Sequence, residues 1–153
     1  MFGGSKLSYL RSVNDTFSLK MPNAKWERKI AKDDWLSYLK IKHNYPIDDE
    51  DAKLLAFNFK QDTRKPFLES NNIKVPLKIV RTDFQLKSTY FSIMPKGDSL
   101  IFKGKGFGHG VGMCQEGAMR MAKLGYTYLD ILNFYYQNTQ LIDLRLLDFF
   151  KDE

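Results

Sequence analysis

The sequence is short of the groups that most often build metal and redox centres. It has one cysteine, Cys114, so no internal disulfide can form. Its two histidines, His43 and His109, and that single cysteine are too few for an ordinary all-protein zinc site, so no metal and no cofactor is expected. No apolar run approaches the ~20 residues that span a bilayer, which argues against membrane insertion. The start, "MFGGSKLSYLRSVND", has no apolar stretch behind a basic segment, so no signal peptide is read there. Internal repeats, low-complexity tracts and interdomain linkers are also missing. The net charge is +6, but its carriers are dispersed. The tightest groupings, Arg28-Lys29 with Lys32 and Arg64-Lys65, are short and read as solvated surface rather than a nucleic-acid footprint.

What is present is a globular composition. Hydrophobic residues make up 43% of the 153 and aromatics 14%, enough for one domain with its own core. Residues 15–21 and 24–30 alternate polar and apolar side chains around Pro22-Asn23, the pattern of two short strands or an extended hairpin. Residues 32–43 repeat Trp35, Leu36, Leu39 and His43 at helical spacing, with Asp33 and Asp34 suited to the first turn. Residues 44–51 read as a solvated acidic loop, because consecutive carboxylates do not make a calcium loop. "AKLLAFNFKQ" (52–61) and "VPLKIV" (75–80) read as strands, and 81–88 as a helical turn with a loop. "TYFSIMP" and "SLIFKGKG" read as strands joined by the turn Lys96-Gly97-Asp98. From Met113 the period becomes helical, with Met113, Gly117, Met121 and Leu124 on one face and Gly125 as C-cap. Residues 126–138 read as a second helix capped by Thr127 and Asp130. Residues 139–150 read as a closing strand. The fold class is α+β: a mixed or antiparallel sheet with a few helices in a single domain.

The unusual segment is "GKGFGHGVGMCQEGA", residues 104–118. Glycine occupies every even position from Gly104 to Gly112. If the segment is extended, Lys105, Phe107, His109, Val111 and Met113 share one face. The other face is then bare backbone, open to close approach and to hydrogen bonds with a polar ligand such as a sugar. The dinucleotide fingerprint needs an odd spacing between glycines, and the phosphate loop needs Gly-Lys-Ser/Thr. Both are ruled out here. His109 can act near neutral pH or simply shape the turn. Gln115 offers donors and an acceptor, for a ligand or for the helix end. Glu116 can serve as an acid/base or favour the helix dipole. Cys114 near a helix start can be an activated thiol or a small packed residue.

Residues 103–136, "KGKGFGHGVGMCQEGAMRMAKLGYTYLDILNFYY", resemble the C-terminal part of the stage II sporulation protein D family. Its motif is Gly-Trp-Gly-His-Gly-Val-Gly-Met/Leu-Ser/Cys-Gln-x-Gly-Ala, and Phe107 stands here in place of the tryptophan. "YLRSVND" after Gly3-Gly4, "KWERKIAKDDWLSYL" and "VRTDFQLKSTYFSI" also resemble family segments, so the likeness spans nearly the whole chain. The resemblance implies non-hydrolytic cleavage of peptidoglycan between N-acetylmuramic acid and N-acetylglucosamine by a lytic transglycosylase. One carboxylic acid serves there first as acid and then as base. It also implies that this glutamate lies upstream of Met1, in an N-terminal segment that residues 1–153 lack, as do the zinc ligands of some members. Phe107, Gly108, His109, Gly110 and Gln115 would then line the glycan groove, with His109 and Gln115 supporting catalysis. The resemblance leaves a second reading, a non-catalytic cell-wall module or amidase activator. It implies an extracytoplasmic, cell-envelope location, with peptidoglycan strands, an amidase or the upstream segment as partners.

Overall fold

The computed structural model describes residues 9–10 and 13–143. It divides into two compact units, Lys20–Gly110 and Met1–Leu19 with Val111–Glu153. The fold is α+β, as expected.

The Lys20–Gly110 unit is built on a three-stranded antiparallel sheet. Strands β1 (Lys25–Ala31), β4 (Phe91–Lys96) and β5 (Ser99–Lys105) lie in the order β1-β5-β4. The β4–β5 hairpin turns at the expected Lys96-Gly97-Asp98, where Gly97 has φ +58°. Alternation sends Trp26, Ile30, Phe91, Ile93, Leu100 and Phe102 to the core. The expected helix forms as α1 (Lys32–His43), and it buries Trp35 and Leu39. The Trp35 ring packs edge-on against Phe102, with centroids 5.2 Å apart.

Two expected strands are helices. Residues 52–61 begin inside α2 (Glu50–Phe57) rather than a strand. The Asp49 carboxylate accepts a hydrogen bond from the Ala52 N–H at 2.8 Å, and Glu50 and Asp51 favour the first turn. Part of the acidic run is thus a helix start. The small Ala52 and Ala56 face the core four residues apart, and the Ala56 carbonyl accepts from Trp35 Nε1 at 3.0 Å. Residues 75–80 are extended only to Pro76. There β3 (Ile73–Pro76), paired with β2 (Phe67–Ser70), gives way to α3 (Leu77–Asp83). Pro76 stands at the N-cap, and helical φ suits the residues after it. The helical turn expected at 81–88 is the end of this helix and the loop beyond it.

In the other unit, residues 17–20 make a 3-10 turn, Phe17–Lys20, where a strand was expected. Asp15 explains it: its carboxylate accepts from the Ser18 N–H at 3.1 Å, and its carbonyl accepts from Ser18 Oγ at 3.2 Å. Helices α4 (Gln115–Lys123) and α5 (Tyr128–Tyr135) bury Met121, Ile131 and Tyr135 against one another. Gly125, at φ +92°, follows the end of α4. The expected capping box is present: Thr127 Oγ1 accepts from the Asp130 N–H, and the Asp130 carboxylate accepts from the Thr127 N–H at 2.9 Å. On the expected apolar face of α4, Gly117 and Met121 are buried, while Met113 and Leu124 are 37% and 52% exposed. Residues 139–143 are not strand, and the rest of the expected closing strand lies outside the described residues. Gly3 and Gly4 also lie outside them.

Candidate functional site

The glycine ladder is not an extended strand. Only Gly104 and Lys105 belong to β5, and Gly106, Gly108, Gly110 and Gly112 have φ of +72°, +97°, +72° and +73°. The residues between them keep negative φ, so the backbone changes hand at every step. Residues other than glycine rarely sustain that, which is why the glycines alternate. The single side-chain face expected from Lys105 to Met113 therefore does not form as a strand face.

Each end of the ladder is fastened by a different device. Gly104 faces Trp26 across the β1–β5 pair, and a Cβ there would overlap the indole. Trp26 Nε1 donates to Ser88 Oγ at 3.2 Å, and Ser88 Oγ donates to the Lys105 carbonyl at 2.7 Å. Ser88 is fully buried, and its oxygen also accepts from the Tyr90 N–H at 3.3 Å. A parallel bridge joins Ser88 to Gly108, and the Gly108 N–H donates to the Lys87 carbonyl at 2.8 Å. The Ser88 side of the ladder is therefore anchored by hydrogen bonds up to Gly108.

At Gly110 the neighbour is Arg64. A Cβ on Gly110 would stand 2.5–2.9 Å from three guanidinium atoms, so the guanidinium fills the space a side chain there would take. Arg64 Nη1 donates to Thr89 Oγ1 at 3.0 Å, and the guanidinium carbon sits 5.3 Å from the Tyr90 ring centre. Burial lowers the Arg64 pKa, opposed by Tyr90 and aided by the like charge of Arg81. The loop carrying Arg64 is held by Gln61, which is 8% exposed. Its Nε2 donates to the carbonyls of Thr89 and Phe91 at 2.9 and 2.8 Å, and its Oε1 accepts from the Lys65 N–H at 2.8 Å. The sequence reading placed Arg64 on a solvated surface, whereas the side chain is half-buried. Nothing local in "QDTRKP" signals this, because the residues that enclose Arg64 come from 89–90 and 110.

Of the expected site residues, Phe107, Gly108, His109 and Gly110 occupy this ladder. Phe107 is 68% exposed, and His109 and Gly110 are exposed too. Gln115 is exposed on the first turn of α4, in the other unit. In that unit the Met113 N–H donates to Tyr136 Oη at 3.3 Å. The absence of a side chain at Gly117 makes room for Tyr135 Oη, which donates to the Asp15 carboxylate at 2.9 Å. Burial and then the Asp15 hydrogen bond push the Tyr135 pKa far up, so the phenol stays protonated. Cys114 packs beside Met121, Ile131 and Tyr135, which fits the small-packed-residue reading. Among the described residues no group of three or more His, Cys, Asp or Glu side chains could hold a metal ion. No helix among them is long and apolar enough to cross a membrane.

No protein-family model matches the sequence. Curated relatives do. The chain is 31% identical to stage II sporulation protein D of Bacillus subtilis (strain 168) over 139 residues, which is 90% of this chain and 39% of that protein. It is 42% identical to the amidase enhancer of the same organism over 72 residues, 45% of this chain and 10% of that protein. It is 38% identical to stage II sporulation protein D of Bacillus amyloliquefaciens over 71 residues, 46% of this chain and 21% of that protein. The chain thus spans well under half the length of these relatives. With one alignment at 31% identity running along 90% of it and a second relative of the same name, the chain belongs to the stage II sporulation protein D family.

Proposed function

We propose that this chain is the glycan-binding part of a peptidoglycan lytic transglycosylase-like domain. It would hold the strand while a carboxylic acid outside this sequence protonates the leaving oxygen. The observation that carries the reading is Phe107. Its ring is 68% exposed, although large aromatic side chains are usually buried. It also stands between Gly106 and Gly108, where an added Cβ would meet nothing within 4 Å. An exposed ring on bare backbone suits stacking against a sugar face, with His109 two residues along the same exposed ladder. The family relationship supports the cell-wall setting, and an envelope location follows from where the glycan is.

Binding and cleavage separate cleanly in one experiment. The chain is incubated with purified peptidoglycan, and the pellet and the soluble products are examined. Cosedimentation without anhydro-muramoyl products is expected. A folded chain that stays in the supernatant, or that alone releases anhydro-muramoyl products, contradicts the proposal. A second reading, activation of an amidase, rests on the 42% identity to an amidase enhancer. It predicts that added chain raises the rate of a purified cell-wall amidase on the same substrate.

A further inference from the structure

Arg64 has far more hydrogen-bonding capacity than the protein uses. A guanidinium carries five N–H donors, and only the bond from Nη1 to Thr89 Oγ1 engages one. No carboxylate pairs with it among the described residues. Asp62, two residues away, meets this cluster through its backbone: its carbonyl accepts from Tyr90 Oη at 2.8 Å. A second cation shares the Tyr90 ring. Lys105 Nζ lies 5.6 Å from the Tyr90 ring centre. The guanidinium is nevertheless positioned by Thr89, against Gly110 and beside the Tyr90 ring. An oriented, charge-unpaired fork beside the exposed ladder matches the geometry of a carboxylate.

From this we infer that Arg64, with Lys105, forms a carboxylate subsite beside the glycine ladder, which reads an acidic group carried by the bound glycan strand. The inference rests on the glycan-binding reading and narrows its ligand from sugar in general to acid-bearing sugar. In peptidoglycan the carboxylate has two sources, the lactyl ether of a peptide-free muramic acid and the acids of a stem peptide. Gly110 is required twice, for its positive φ and for the space the guanidinium fills.

The test compares four probes on the folded chain by equilibrium binding: peptide-free glycan strands, the same strands with their carboxylates amidated, strands with intact stem peptides, and neutral N-acetylglucosamine oligomers. Wild type is expected to bind one of the two acidic probes roughly tenfold more tightly than the amidated and neutral ones, as a charge-assisted hydrogen-bond pair would give. Which acidic probe wins identifies the carboxylate. Arg64→Gln should remove that preference, and the exposed Lys105→Gln should reduce the preference and its salt dependence. Equal wild-type affinity for acidic and neutral probes overturns the carboxylate subsite and leaves the glycan reading standing. A preference that survives in Arg64→Gln overturns it as well. No binding to any probe overturns the glycan reading and this inference with it. The wild-type comparison needs no variant, so it decides the matter even if Arg64→Gln does not fold.

Discussion

Ser88 is the residue on which the start of the ladder depends, and Ser88→Ala tests that directly. In the native chain its oxygen accepts from Trp26 Nε1 at 3.2 Å and from the Tyr90 N–H at 3.3 Å, and it donates to the Lys105 carbonyl at 2.7 Å. Alanine fits the space but leaves these three groups without that partner in a fully buried position. Each stranded polar group costs about 1–3 kcal/mol. The 3.3 Å contact is weak, so the total is expected near the low end, about 3 kcal/mol. For a chain of this length that corresponds to a fall of roughly 6–12 °C in melting temperature. Thermal unfolding followed by circular dichroism reads the loss. Hydrogen exchange at the Gly108 amide, which donates to the Lys87 carbonyl, reads whether the ladder has come loose. A loss below about 1 kcal/mol with Gly108 protection unaltered would refute the claim that Ser88 anchors the ladder.

The ladder glycines should separate by the reason each is glycine. Gly104→Ala drives a Cβ into the buried Trp26 indole and should cost roughly 3 kcal/mol, whereas Gly106→Ala meets open space and only its φ of +72°, roughly 1–2 kcal/mol. Equal costs, or the reverse order, in urea unfolding would contradict this. Acid stability should track Asp83 and His43. Hydrogen bonds from Lys42 Nζ at 2.7 Å and Tyr38 Oη at 2.8 Å hold the Asp83 pKa down. Its contribution is therefore present above its usual value near ~3.9 and is lost as pH falls through the depressed one. Burial, and then Lys42, lowers the His43 pKa, so stability also falls as pH drops below ~6.5 toward that lowered value. The urea midpoint followed against pH should show both steps. Asp83→Asn should flatten the lower one, and an unchanged acid limb in that variant would contradict the assignment.

Where local signals were unopposed, the sequence was legible. The β4–β5 hairpin carries Gly97 at its turn, α1 repeats Trp35 and Leu39 at helical spacing, and α5 announces itself through Thr127 and Asp130. Residues 52–57 misled because a short apolar run fits a strand or a helix equally well, and the deciding Asp49 cap was one acid among several. At 75–80 the element changes type within six residues, which a periodicity window averages away. The ladder misled for a physical reason too. Glycine at every second position suits an alternating strand, and it equally suits a backbone that changes the sign of φ at every residue. Glycine permits the second arrangement far more readily than other residues do. The exposed Phe107 and His109 could be picked out from the motif. Arg64 could not, since its enclosure by Thr89, Tyr90 and Gly110 exists only in the folded chain.

The central claim is that the exposed ring on the glycine ladder holds a glycan. Phe107→Ala tests it most directly, because Phe107 is too exposed to support the core. The measurement is the affinity of wild type and variant for purified peptidoglycan strands, with the melting temperature of each recorded beside it. The account predicts roughly tenfold weaker binding, about 1.4 kcal/mol, at an unchanged melting temperature. Full affinity in Phe107→Ala, with the fold intact, would contradict it.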